Sequence, residues 1–228
     1  MTPLLLIPGM MCDARMWGNL PAALLCPVHH SLPTGADTVE ALAGQILRDA
    51  PPRFALAGLS MGGIVAMEVL RQAPARITRI ALLDTNPLAE TAQVQARRQP
   101  QIASVQSGGL ATVMREEMKP NYLAESPRKP AILDLCMDMA LSLGPQVFIQ
   151  QSRALATRPD QTATLAAFHG PALVLMGEED RLCPRPRHDL MHALMPQSRL
   201  VIVDQSAHLP PLENPTQTLA ALSRWLED

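Results

Sequence analysis

The chain of 228 residues is poor in charge: Asp, Glu, Lys and Arg make up 18% of it, the formal net charge is −2, and Lys and Arg nowhere form a long run. Such a surface offers no electrostatic footprint for nucleic acid or an anionic membrane, so neither is expected as a partner. The four cysteines, Cys12, Cys26, Cys136 and Cys183, contain no C-x-x-C pair and are too sparse for a disulfide framework. Free, structural thiols are expected, with no metal and no other cofactor. No basic segment precedes the first apolar run, Leu4 to Ile7, and that run stops at Pro8-Gly9, too short for a signal peptide. Nothing else approaches a membrane span, and a cytoplasmic location is the simplest expectation. Internal repeats and low-complexity linkers are lacking too.

What is present is 47% hydrophobic residue, enough for one compact domain with, at most, an inserted subdomain. Leu4 to Ile7 has the profile of a strand buried on both faces of a parallel sheet. Val39, Leu42, Ile46 and Leu47 lie at helical spacing, and Pro51-Pro52 ends that helix before the apolar run Phe54 to Ala57. A helix over Ile64 to Leu70 and a strand over Ile77 to Leu83 follow. From about Pro87 to Phe168 the rhythm changes to helical stretches without a convincing strand. It returns with Leu173 to Met176 and Leu200 to Val203, and a last helix opens with Asn214 as N-cap and Pro215 at its first position, burying Leu219, Leu222 and Leu226. Alternating strands and helices predict an α/β fold, a mostly parallel sheet with helices on both faces. Residues 1–86 and 169–228 form its core, and 87–168 a helical insertion.

The strand ending at Ala57 runs into Gly58-Leu59-Ser60-Met61-Gly62-Gly63 and then into an apolar helix. The bare G-x-S-x-G pattern is weakly specific; a buried strand before it and a helix after it make it informative. A reversal this tight strains the serine backbone and brings helix and strand too close for side chains at the flanking positions, which glycine satisfies. The turn exposes the Ser60 hydroxyl above the sheet, at a helix N-terminus where an oxyanion would be favoured. There is no G-K-[ST] ending and no G-x-G-x-x-G, so the glycines do not make a nucleotide site.

A serine nucleophile needs a base. His29, His30 and His169 read as surface or packing residues. His188 and His192, four apart, lack the glutamate and third ligand of a metal helix. His208 differs, lying in a loop just beyond the carboxyl end of the last strand, where open α/β sheets gather ligands. An acid must orient the imidazole, and two aspartates end core strands: Asp180, in the loop Gly177 to Pro184, and Asp84.

The order Ser60, Asp180, His208, with Pro8-Gly9-Met10 after the first strand, resembles the α/β-hydrolase superfamily. More narrowly, it is similar to the small cap-bearing branch of esterases, lactonases, cofactor-free haloperoxidases and C–C hydrolases. The resemblance covers nearly the whole chain and is weakest over 87–168. It implies a triad of Ser60, His208 and Asp180, the last favoured over Asp84 because Gly-x-x-Asp-x-x-x-Pro is similar to the acid loop of most relatives. It also implies an oxyanion hole of the Met61 and Met10 backbone N–H groups, with Met11 as the alternative to Met10, and a helical cap (lid) after the strand ending at Asp84. This chain departs from the pattern with Pro8 where many relatives carry His and Ala207 where many carry Gly. It also begins at the third strand of the family's sheet, so about six strands are expected.

The expected activity is a serine hydrolase, carboxylesterase-like, cleaving an ester-like bond of a small, largely apolar substrate through an acyl-enzyme. C–C bond hydrolysis, lactone opening or peracid formation would use the same triad, and some relatives have become ligand receptors or signalling proteins. Met114, Met118, Met137, Met139 and Phe148 are expected to line an apolar substrate pocket, the alternative being that they pack the cap onto the body. Arg97, Arg98, Arg115 and Arg153 are candidates for a substrate carboxylate, against the ordinary fate of solvated arginines.

Overall fold

The computed structural model describes residues 2–228. Its centre is a sheet of six strands, β1 (Leu4–Ile7), β2 (Val28–His30), β3 (Phe54–Leu59), β4 (Ile77–Leu83), β5 (Ala172–Gly177) and β6 (Ser198–Val203). Every pairing is parallel, in the spatial order β2-β1-β3-β4-β5-β6. The chain steps outward from β1 to β2, returns to β3 on the other side of β1, and then proceeds in one direction. The reversal opens a crevice at the carboxyl ends of β1 and β3, the usual ligand position in such sheets.

Residues along β1, β3 and β5 are buried throughout because helices cover both faces. On one face, Leu5, Ile7, Leu56, Ile80 and Val174 pack against α1 (Val39–Asp49), α2 (Met61–Gln72) and α5 (Arg185–Leu194). On the other, Leu4, Leu6, Ala57, Leu83 and Leu175 meet Met16, Trp17, Leu20 and α6 (Pro215–Glu227). Each fully buried aliphatic side chain contributes about 1.5–3 kcal/mol of transfer free energy. The period-two alternation of the strands thus sorts one sequence run into two cores. Thr38 caps α1 by accepting the Ala41 N–H at 3.2 Å, and Asn214 caps α6 by accepting the Gln217 N–H at 3.3 Å.

Three expectations need correction. The helix after Ser60 begins at Met61 rather than near Ile64, since Gly62 and Gly63 lie inside its first turn. In α6 the fully buried positions are Thr218, Leu222 and Trp225, while Leu219 and Leu226 are only partly covered, because the buried stripe follows the i, i+4, i+7 rows. The third concerns a membrane span. Between β4 and β5 the chain is helical, with α3 (Ala92–Gln106), a run of short turns from Leu110 to Asn121, and α4 (Lys129–Ala156). With 28 residues and a window of mean hydropathy 1.4, α4 is by length and composition apolar enough to span a bilayer. It is broken at Gly144 (φ 82°) before Pro145, and Cys136, Met139, Ala140, Phe148 and Leu155 bury their side chains inside the protein.

On α5, His188 is fully buried and neither ring nitrogen has a hydrogen-bond partner among the described residues. Burial lowers its pKa to about 4, despite the nearby charge of Asp180. The unfolded chain, with an ordinary histidine near 6.5, therefore binds more protons than the folded one between about pH 6.5 and 4. Stability should fall over that window by up to ~1.4 kcal/mol per pH unit from this group. In urea denaturation followed from pH 7.5 to 4, His188→Leu should flatten this slope; an unchanged slope would show that His188 is not its origin.

Candidate active site

The turn between β3 and α2 is held by a crossing in which backbone meets backbone. A Cβ on Gly62 would lie 2.1 Å from the Ile7 carbonyl oxygen of β1, and one on Gly58 would lie 2.2 Å from the Gly62 oxygen. Gly63 is equally constrained, with Thr85 Oγ1 2.6 Å from its virtual Cβ. Ser60, between them, is forced to φ 55°, ψ −118°, a region L residues occupy only when the surroundings impose it. Its N–H donates to Leu83 O at 2.9 Å and its carbonyl accepts from Thr85 Oγ1 at 2.7 Å.

Ser60 Oγ lies 2.9 Å from His208 Nε2, and His208 Nδ1 lies 2.9 Å from Asp180 Oδ2. The other Asp180 oxygen accepts the N–H groups of Leu182 at 2.8 Å and Cys183 at 3.1 Å. Burial alone would raise the Asp180 pKa, but His208 and the two amides outweigh it and hold the carboxyl at about 2. Asp84 behaves in the opposite way. It is completely buried, accepts the Gly177 N–H at 2.9 Å, and leaves its second oxygen without a partner. Burial and then the charge of Asp180 push its pKa well above the carboxylate range, and it makes no hydrogen bond to the His208 ring.

The amide of Met11, where φ is 55°, donates to Gln151 Oε1 at 2.9 Å, and Gln151 Nε2 donates to Pro33 O at 3.0 Å. The amides of Met10 and Met61 have no acceptor among the described residues. Of the two alternatives at the β1 loop, Met11 has its N–H engaged and Met10 has it free.

The His208 loop is fixed from a side the sequence reading missed. Glu213 is buried, and its carboxylate accepts from Ala207 N at 3.1 Å, Leu209 N at 2.9 Å and Ala124 N at 2.8 Å. The His208 amide itself donates to Tyr122 O at 2.9 Å. A glutamate in the apolar run Pro210 to Pro215, five residues after the histidine, was the available signal. Gln151 gave none, lying 140 residues from the amide it binds.

Ser60 and His208 open into a cavity of about 440 Å³ whose lining includes Gly9, Met10, Met61, Ile64, Val94, Met118, Tyr122, Leu155 and Leu209. Of the five pocket residues expected, only Met118 lines it. Met114, Met137 and Phe148 pack into the core on the α1–α2 side, and Met139 into the core on the α6 side. Their side chains are used in seating the helical segment, which was the alternative. Arg97 and Arg98 reach the cavity, whereas Arg115 and Arg153 are exposed elsewhere. A carboxylate oxygen of Asp180, Cys183 Sγ and a His208 ring nitrogen lie within 4.8 Å of one another. As a metal site this trio is ill-suited, because Asp180 and His208 spend their atoms on each other and burial keeps the Cys183 thiol protonated. His188 and His192 do not form a pair of ligands either: the first is buried and His192 Nδ1 lies 2.7 Å from Ser198 Oγ.

The sequence profile described as the alpha/beta hydrolase family matches residues 4–222. The chain belongs to the alpha/beta hydrolase family. It is similar to the pimeloyl-[acyl-carrier protein] methyl ester esterase of Klebsiella pneumoniae, at 28% identity over 79% of this chain and 72% of the relative. The enzyme of the same name from Aromatoleum aromaticum is 25% identical over 93% of each. Among solved structures, a thermophilic esterase from Thermogutta terrifontis superposes with a TM-score of 0.90 at 28% identity, covering 100% of this chain and 90% of that one. The enol-lactonase of Burkholderia xenovorans, at 20% identity and a TM-score of 0.88 over 100% and 92%, shares the fold. This member of the alpha/beta hydrolase family is an enzyme, a hydrolase.

The elbow geometry sets up a paired measurement. Gly62→Ala should cost about 3 kcal/mol or more in chemical denaturation, because the new methyl meets the Ile7 and Pro8 backbone. Gly44→Ala, in α1, meets only the end of the Gln72 side chain at 3.7 Å and should stabilise by about 0.5–1 kcal/mol. Equal effects at the two positions would remove the steric argument.

Proposed function

We propose that this hydrolase cleaves a carboxylic ester of a small substrate by acyl transfer, with Ser60 as nucleophile, His208 as general base and then acid, and Asp180 as the group that orients and electrostatically supports the imidazole. The observation that carries the reading is the unbroken hydrogen-bond chain Ser60 Oγ–His208–Asp180, opening into a cavity. The ester-cleaving names of relatives that align over most of the chain agree with it.

In this mechanism Ser60 Oγ forms a bond to the ester carbonyl carbon while His208 Nε2 takes the hydroxyl proton. The carbonyl π electrons move to oxygen, and the Met10 and Met61 N–H groups hold the resulting oxyanion. The tetrahedral intermediate collapses with cleavage of the C–O bond, and His208 returns the proton to the departing alcohol. Water then attacks the acyl-serine by the same route and releases the acid. Asp180, kept ionised by its amides and by His208, holds the Nδ1–H tautomer and offsets the imidazolium charge. Residues 87–168 act as the cap over the site, a reading supported by Met118, Tyr122, Leu155 and Arg158 in the cavity lining. Gln151 positions the β1 loop from that cap by engaging the Met11 amide.

Hydrolysis of a panel of short and medium acyl esters is the first test, with multiple turnovers expected. A fluorophosphonate probe should label the protein once, and Ser60→Ala should abolish labelling and leave circular dichroism unchanged; labelling retained in that variant would rule Ser60 out. Asp180→Asn should lower kcat by about 10⁴-fold, as expected when the imidazole tautomer is reversed. Asp84→Asn puts a near-isosteric amide at a carboxyl that does not touch His208 and should cost little; a large loss there with normal turnover in Asp180→Asn would transfer the acid role to Asp84. Gln151→Leu should reduce kcat by roughly tenfold or more for small and bulky esters alike with KM nearly constant. A KM effect confined to bulky esters would instead make Gln151 a pocket residue.

A further inference from the structure

The cavity that holds Ser60 and His208 also carries an excess of positive charge on its lining. Arg97, Arg98, Arg158 and Arg187 line it, against the carboxylates of Glu90 and Glu117. Glu117 is exposed and is engaged by Gln101 Nε2 at 2.9 Å. Glu90 is 1% exposed and serves two guanidinium groups at once: Arg98, 12% exposed, through bonds of 2.5 and 2.6 Å, and Arg158, 10% exposed, at 3.0 Å. Arg158 Nε is spent on Leu88 O at 3.0 Å. Arg187, half-buried in the first turn of α5, makes no side-chain hydrogen bond or ion pair among the described residues, and neither does Arg97 at the exposed side.

Arg98 and Arg158 therefore share one buried carboxylate, and Arg187 beside them has none. Burial disfavours the Arg158 charge, Glu90 supports it, and Arg98 and Arg187 both repel it. A solvated surface would tolerate this. The largely covered Arg98 and Arg158 do not, because a charge removed from water needs a partner within hydrogen-bond reach. The protein supplies Glu90 to them, while Glu117, on the exposed side of the lining, makes no ion pair with these arginines. The guanidinium fork matches carboxylate and phosphate oxygens bidentately, and an anion in the cavity would complete the set.

We propose that the substrate of this site is an ester bearing an anionic group, a carboxylate or a phosphate, remote from the scissile carbonyl, and that Arg187 and Arg158 bind that group while Glu90 holds Arg98 and Arg158 in place. This rests on the reading of Ser60 as the nucleophile of an ester hydrolase. It gives the polar part of the cavity a role in selection: apolar residues such as Ile64, Val94 and Leu155 contact the chain of the substrate, and the arginines read its charged end.

The test compares kcat/KM for monomethyl esters of dicarboxylic acids of increasing length, methyl ω-phosphonoalkanoates of the same lengths, and the matching neutral dimethyl diesters. The anionic series should exceed the neutral one by roughly ten- to a hundredfold at a favoured length, the range of a charge-assisted hydrogen-bonded pair. Preference for the carboxylate or the phosphonate series identifies which oxyanion is read. In Arg187→Met, which breaks no ion pair, the anionic-to-neutral ratio should collapse toward one, and in Arg187→Glu it should invert. Calorimetric titration of Ser60→Ala with the same esters separates this inference from the reaction it rests on. Arginine-dependent binding without turnover in the wild type would defeat the esterase reading and leave the anion site standing. Equal binding and turnover of charged and neutral esters, or a preference that survives both Arg187 variants, would overturn the proposal.

Discussion

The close crossing of the Gly62 backbone of α2 over the Ile7 carbonyl of β1, which leaves no room for a Cβ, is the constraint to which the rest of the site is fitted. It presses α2 against the sheet, so the chain leaving β3 must reverse within one residue, and Ser60 takes the strained conformation that results. The same contact brings the loop after β1 beside the N-terminus of α2, so that Met10, Ser60 and Met61 line one cavity. A strained serine costs about 1–3 kcal/mol. The two buried cores on either side of the sheet, each contributing many side chains at ~2 kcal/mol apiece, hold that strain in place.

Electrostatic sorting is the second organising feature. Asp84, Asp180 and Glu213 all lie buried at the same end of the sheet, yet their surroundings divide them. Asp180 has two amides and His208 and stays ionised near its value of about 2. Asp84, fully buried, has one amide and a negative neighbour, and its pKa is pushed up. Glu213 is raised by burial, against the amides of Ala124, Leu209 and Ala207. Two aspartates that each end a core strand, of which the resemblance favoured Asp180, thus differ first by the histidine and then by the number of N–H groups aimed at them.

Sequence made the sheet, the elbow and the three side chains that the structure joins by hydrogen bonds readable, because each has a local signature: apolar runs bounded by Pro and Gly, G-x-S-x-G between strand and helix, a histidine and an aspartate in loops after strands. The pocket was not readable. Methionines in the helical segment are apolar wherever they point, and which of them faces the cavity depends on the kink at Gly144 and the packing of α4. Nor could the long-range partners be read. Gln151 with Met11, Glu213 with Ala124 and Arg158 with Glu90 are pairs set by tertiary placement, with no periodicity that connects them. The β3–α2 boundary was misplaced by three residues because Gly62 and Gly63 look like loop and behave as helix.

The helical segment between β4 and β5 is bound to the active-site loops by more than apolar contact. Through Gln151 it grips the loop after β1, and through the amide of Ala124 and the carbonyl of Tyr122 it meets the loop bearing His208. Such a segment cannot be exchanged as a cassette. A transplanted helical region of matching shape must reproduce the Gln151 side chain for the Met11 amide, an N–H for Glu213 in place of that of Ala124 and a carbonyl for the His208 amide in place of that of Tyr122, or leave these groups short of a partner.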